Sequence, residues 1–139
     1  FADAPVGRTF LDRELRYVRI NAELAAWNGL PVAEHIGRHF GDVRPALAAR
    51  VAPLLRQVFR DGEAIRGLRV AAGLDDGGPA SGNEFRVSFF PVRRAGRRDG
   101  EVIAVGVVAE DITALAHEAR DRDELLRLGA TLQRHEPGT

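Results

Sequence analysis

Two short stretches near the start of the chain carry patterns suited to extended backbone. Arg8-Thr-Phe-Leu11 is a brief strand signal, preceded by a turn-prone opening that holds Pro5 and Gly7. Leu15 to Ile20 is β-branched and aromatic, and strict alternation places Val18 and Ile20 on one face, Tyr17 and Arg19 on the other. The polar turn Asp12-Arg-Glu14 between them predicts a hairpin. Asn21 then suits an N-cap, because its side chain can accept a free backbone N–H of the first helical turn. Ala22, Leu24, Ala25, Ala26 and Trp27 favour a short helix, closed by Asn28-Gly29. Pro31 to Phe40, broken by Gly37, predicts one or two single helical turns.

The strongest helical period runs from Pro45 to Arg60. Leu47, Val51, Leu54, Leu55, Val58 and Phe59 fall at three- and four-residue spacing, and Arg50, Arg56 and Arg60 lie outside that stripe. Pro53 is awkward inside it and predicts a kink or a later start. Asp61-Gly62 closes the helix. Ile65 to Ala72 reads as a strand, Leu74 to Asn83 as a Gly-rich loop, and Phe85 to Val92 as a strand stopped near Pro91. A basic turn, Arg93 to Gly100, leads to Val102–Ala109.

That strand is apolar on both sides, whereas a strand with one wet face should alternate. Both faces are therefore expected to be covered, one by the domain's own helices, the other by a flanking helix or a second subunit. Tyr17, Val105, Val107 and Leu115 are assigned to this second, dimer-forming or helix-docking face. Ala114 to Arg134 predicts an amphipathic exit helix. Leu125, Leu128 and Leu132 have coiled-coil spacing, while Leu115, Ala119, Arg122 and Leu126 define a competing register. Residues 1–113 thus form a domain and residues 114–139 an exit helix and tail.

Composition narrows the function classes. The chain has 139 residues, enough for one domain, and starts at Phe1 without any Met, so a fragment of a longer protein is expected. No apolar run reaches the roughly 18–20 residues of a membrane span, and no signal peptide is visible, which points to a cytoplasmic segment. The absence of Cys removes disulfides, thiol nucleophiles and cysteinyl-flavin photochemistry. Net charge is zero, which argues against nucleic-acid binding. Every basic residue is Arg, and with abundant Ala and Gly this points to a bacterial, high-GC genome.

The order of elements resembles the PAS fold. Ala4-Pro5-Val6-Gly7 looks like the family's opening, followed by a hairpin that ends in Asn21. Gly37 and Phe40 resemble the Gly and bulky residue after the first helix. Phe89-Phe-Pro91-Val92 resembles the fourth strand, and Gly100, Gly106 and Asp111-Ile-Thr113 the fifth strand and its junction. The match covers roughly residues 4 to 113; Pro53 and the Gly-rich loop depart from it. The resemblance implies an α+β fold: a five-stranded antiparallel sheet with helices packed on one face, and a ligand cleft between them. It implies that Asp111, Ile112 and Thr113 transmit signals to the exit helix and an output domain in the same polypeptide. Residues 126–134 look like the lead-in to a serine phosphatase or to the histidine kinase of a two-component system.

Candidate chemistry is sparse. The cleft residues expected are Trp27, Phe40, Phe59, Arg86 and Phe89, although a plain core explains the apolar ones equally well. Haem-binding relatives use a His on the long helix, and 45–60 contains none. His35 and His39 are four apart, as zinc ligands are, but Gly37 separates them and no Glu follows His35. Asp75-Asp76 lacks calcium-loop spacing. Glu110 and Asp111 are adjacent on a strand and face opposite ways, so they make no acid/base pair. No catalytic residue or metal site is assigned, and a resident cofactor stays open. The expected function is sensory: a homodimer that binds a small ligand or partner and signals through its exit helix. A ligand-free dimerisation domain and a small α+β enzyme are the alternatives.

Overall fold

A computed structural model describes residues 6–71, 82–96 and 99–135, with the backbone alone for 129–135. β1 (Val6–Asp12) and β2 (Tyr17–Ile20) form the expected hairpin. The Asp12 carboxylate accepts the backbone N–H groups of Glu14 and Arg16, both at 3.0 Å. This closes a turn in which Leu15 adopts φ 62°, a conformation that side chains resist. Burial of the Leu15 side chain, 2% exposed, offsets that strain.

Asn21 caps α1 (Ala22–Asn28) as the sequence predicts. Its Oδ1 accepts from Leu24 N at 3.1 Å and from Arg8 N at 3.0 Å, while Nδ2 donates to the Val6 carbonyl. One side chain therefore starts the helix and pins it to β1. A single 3-10 turn at Val32–Glu34 and the short α2 (Phe40–Val43) follow. α3 (Pro45–Asp61) begins with Pro45, whose missing N–H costs nothing at a helix start. Ala48, Val51, Ala52, Leu55 and Val58 form its buried stripe. Pro53 lies inside the helix on the exposed side, so the helix runs through it without a break.

β3 (Ile65–Ala71), β4 (Glu84–Arg93) and β5 (Val102–Asp111) complete an open five-stranded antiparallel sheet of order β2-β1-β5-β4-β3, with the helices on one face. Pro91 does not stop β4. Pairing with β3 ends at Phe89, so Pro91 pairs on one side with Val105 and has an open edge on the other, where a proline is tolerated. The Gly-rich loop assigned to 74–83 falls mostly outside the described residues. α4 (Thr113–His135) leaves from the end of β5.

The inner face of the sheet and the helices enclose one core, with Leu11, Leu55, Val58, Phe89 and Val105 among its most buried members. Three residues assigned by sequence to the opposite face lie here. Tyr17 is 3% exposed and shares the inner face with Ile20. A bulge between Phe10 and Leu11 in the β1–β2 register breaks the alternation that had separated the two residues. Val105 is fully buried and Val107 packs against the same core. With apolar residues on both faces of β5, its pattern carried no phase, and the phase is set by pairing: Leu11 with Val105, Thr9 with Val107.

The outer face carries the cross-strand row Phe10, Gly106, Phe90. The Phe90 ring lies across Gly106, where an added Cβ would stand 2.3 Å from it. The outer apolarity of β5 is thus partly covered by the sheet's own side chains. Ala104 and Val108 remain half-buried.

Candidate functional site

Between the inner sheet face and the helices lies a cavity of about 80 Å³. Leu11, Phe89, Val107 and Ala109 form its floor, α3 contributes Leu47, Val51 and Leu55, and Leu24, Trp27 and Phe40 close it from α1 and α2. Trp27 is held by two contacts. Its ring stands 4.8 Å from Phe85, and it lies over Gly7, where a Cβ would meet the indole at 2.7 Å.

One corner of the wall is polar, and its hydrogen bonds run in a defined order. Arg44 has only donors, and its Nη1 donates to Asn28 Oδ1 at 3.1 Å. Asn28 Nδ2 therefore points the other way, toward His35 Nε2 at 3.2 Å and the Tyr17 hydroxyl oxygen at 3.5 Å. His35 Nε2 is then the acceptor, so Nδ1 carries the proton and donates to the Pro31 carbonyl at 2.9 Å. His35 is completely buried and meets the Tyr17 ring edge-on at 5.1 Å. Burial pushes the Tyr17 phenol well above its ordinary range, opposed by the charge of Arg44 and the bond from Asn28.

The junction with α4 lies at the other end of the cavity. Asp111 Oδ1 accepts Thr113 N at 2.9 Å and so caps the helix, while Oδ2 accepts from Asn83 Nδ2 at 3.3 Å. Thr113 Oγ1 accepts Glu84 N at 2.9 Å, and Ile112 N donates to the Glu84 carbonyl at 2.9 Å. The Glu84 carboxylate meets both Arg69 of β3 and Arg120 of α4. Ile112 and Ala116 are buried, whereas every described residue from His117 to Leu128 is exposed. Phe85, the cavity wall against Trp27, is the next residue after Glu84. Cavity and exit helix are one peptide apart.

Of the cleft residues expected from sequence, Trp27, Phe40 and Phe89 line the cavity. Phe59 does not; it packs at the margin of the core, with the Arg13 guanidinium 5.6 Å above its ring. Arg86 lies on the outer face, paired with Glu110 across the strands at 3.3 Å, because it alternates with Phe85 and Val87. Asp111, Ile112 and Thr113 lie together at the β5–α4 junction, and Leu115 is 60% exposed. His35 and His39 do not converge: His39 Nδ1 accepts Gly41 N and caps α2. Among the described residues no cluster of three or more metal-ligating side chains occurs. Sequence reasoning missed Asn28, read only as a helix stop, and Arg44 and Glu84, each at an element boundary. It also weighed His35 as half of a zinc pair with His39.

The family model described as PAS fold matches residues 1–117. No curated protein matches the sequence. Among solved structures, the chain is similar to a domain of an HTR-like protein from Haloarcula marismortui, with TM-score 0.62 and 20% identity over 79% of this chain and 100% of that one. It is similar to VqmA of Vibrio cholerae, with TM-score 0.66 and 20% identity, over 81% of this chain but only 48% of VqmA. It is also similar to the PAS domain of the Cronobacter turicensis quorum-sensing receptor RpfR in complex with C12:0, with TM-score 0.57 and 20% identity over 81% and 98% of the two chains. At these identities the likeness is one of fold.

Proposed function

The chain belongs to the PAS fold family, and from that premise we propose that it is a sensory module that binds a small molecule between sheet and helices and reports occupancy through α4. The observation that carries this reading is the cavity itself, an apolar space in the core whose Phe85 wall adjoins the Glu84 anchor of the exit helix. Two of the similar structures are named as ligand complexes, RpfR with C12:0 and VqmA with DPO, which supports a sensory role.

The mechanism is a population shift. An occupant favours one packing of Phe85 and Trp27, β4 moves with it, and the contacts of Glu84 with Thr113 and Arg120 reposition α4. The output domain, a serine phosphatase or histidine kinase, follows α4 in the same polypeptide, and the segment works in the cytoplasm. No helix among the described residues is long and apolar enough to cross a membrane. The module works as a homodimer, through the outer face around Phe10, Phe90 and Val108 and through the α4 leucines, of which Leu115, Leu125, Leu126 and Leu128 are all more than half exposed. The chain carries no catalysis of its own in this reading.

Native mass spectrometry of the purified domain, paired with an absorbance scan, tests the ligand. Excess mass that disappears on denaturation is expected. A clean ligand-free dimer instead supports a structural dimerisation domain. Replacing Asp111→Ala in the full-length protein should alter output while leaving the domain folded; unchanged output rejects that role.

A further inference from the structure

The hydrogen bonds around the cavity can be followed as far as the Tyr17 hydroxyl. Arg44 Nη1 donates to Asn28 Oδ1, Asn28 Nδ2 donates to His35 Nε2 and Tyr17 Oη, and His35 Nδ1 donates to Pro31 O. The Thr9 hydroxyl, also on the wall, donates to the Arg19 carbonyl at 2.6 Å. The Tyr17 hydroxyl receives a bond from Asn28, but among the described residues no acceptor takes its own proton. Tyr17 is 3% exposed and lines the cavity. A buried donor without an acceptor is costly, so this proton marks what an occupant must bring.

We propose that the cavity takes a compact, uncharged, mostly apolar molecule carrying one hydrogen-bond acceptor, and that this acceptor receives the Tyr17 hydroxyl proton. The proposal rests on the reading of the cavity as a ligand site. Size follows from the volume: 80 Å³ is roughly half the ~150 Å³ that accommodates benzene in an engineered core, so a five- or six-membered ring is the upper bound and stands partly outside the enclosed space. Apolarity follows from the aliphatic and aromatic wall. Neutrality follows from the same wall. An ionised group on that apolar wall would lose its hydration, and a carboxylate would compete with Asn28 Oδ1 for the Arg44 guanidinium.

Three probes of similar ring size separate the possibilities: cyclopentanone, methylenecyclopentane and cyclopentanecarboxylate, each titrated into the isotope-labelled domain and followed by amide chemical shifts. Tyr17→Phe keeps the ring and removes only the hydroxyl; its own amide spectrum shows that it folds. Cyclopentanone is expected to bind Tyr17→Phe about three- to ten-fold more weakly than wild type, with methylenecyclopentane unchanged. A second measurement needs no variant: the carbonyl stretch of cyclopentanone bound to wild-type protein should lie below its position in hexane. Equal ketone affinity for both proteins, a stretch at the hexane position, or tightest binding by the carboxylate overturns the proposal and leaves the ligand site standing. Failure of all three probes to bind removes the ligand site and the proposal with it.

Discussion

On the inner face of β5, Val105, Val107 and Ala109 meet α3 and the cavity. On its outer face, Ala104, Gly106 and Val108 meet their neighbours on β1 and β4, and Ala104 and Val108 stay half-exposed. The residue types are nearly the same, yet one face is a core and the other is a sheet surface that quenches part of its apolarity with Phe90. Burial here is decided by what the rest of the chain brings to a face, not by the face's own composition.

Four experiments press on that contrast. The largest effect belongs to the inner face: Leu55→Ala, at a site 1% exposed, should destabilise the domain by about 2–5 kcal/mol in urea unfolding. Val108→Ala on the outer face should cost only about 1 kcal/mol. A loss at Val108 as large as at Leu55, growing with protein concentration, would show that a second copy covers the outer face.

Next in size, Gly106→Val drives a side chain into the Phe90 ring and should cost about 1–3 kcal/mol. Combining it with Phe90→Ala should recover most of that loss. Additive losses in this double-mutant cycle would mean that Phe90 does not cover Gly106 in solution.

The third test returns to the inner face. Tyr17 is the only Tyr, Cys is absent and all the basic residues are Arg, so no other side chain titrates near pH 10. Its folded value is raised above the ordinary 10.0, chiefly by burial. The neutral phenol is therefore the form the fold prefers. Its contribution is complete below pH 10 and is lost as pH rises through the elevated value. Stability should fall as pH climbs from 10 toward the elevated value, and Tyr17→Phe should flatten the fall. An identical alkaline limb in both proteins would remove Tyr17 as its cause.

The smallest effect belongs to the exit helix. Arg120 and its partner Glu84 are an exposed and a half-exposed side chain, so Arg120→Ala should cost less than about 1 kcal/mol globally. Amide exchange in the first turns of α4 should nevertheless quicken. Unchanged exchange there would show that the backbone anchors at Thr113 and Ile112 hold the helix alone.

Much of this architecture was legible in the sequence, because local chemistry specifies it. Asn21 announced a cap, the three- and four-residue spacing after Pro45 announced α3, and Asp111-Ile-Thr113 announced the junction. What failed to show depends on distant pairing. A single bulge moved Tyr17 to the side of Ile20, and no pattern within residues 15–20 encodes a bulge. β5 was apolar throughout, so its register against β1 and β4 alone decided that Val105 and Val107 point inward. Arg86 was offered as a cleft residue although Phe85 and Val87 beside it hold the inner phase. The polar corner was illegible for another reason: Asn28 ends α1, His35 follows the 3-10 turn and Arg44 links α2 to α3, so the three meet only because the chain folds back over the cavity.

The chain has one tryptophan, and it stands in the cavity wall against Phe85. The domain's intrinsic fluorescence is therefore a single-site signal from the place where an occupant would sit. Displacement of water from beside the indole should move the emission to shorter wavelength, without any label. Because Phe85 is peptide-bonded to Glu84, a time-resolved record of that emission would also test for movement on the proposed path to the exit helix. A library of compounds can thus be screened on the unmodified protein by its own light.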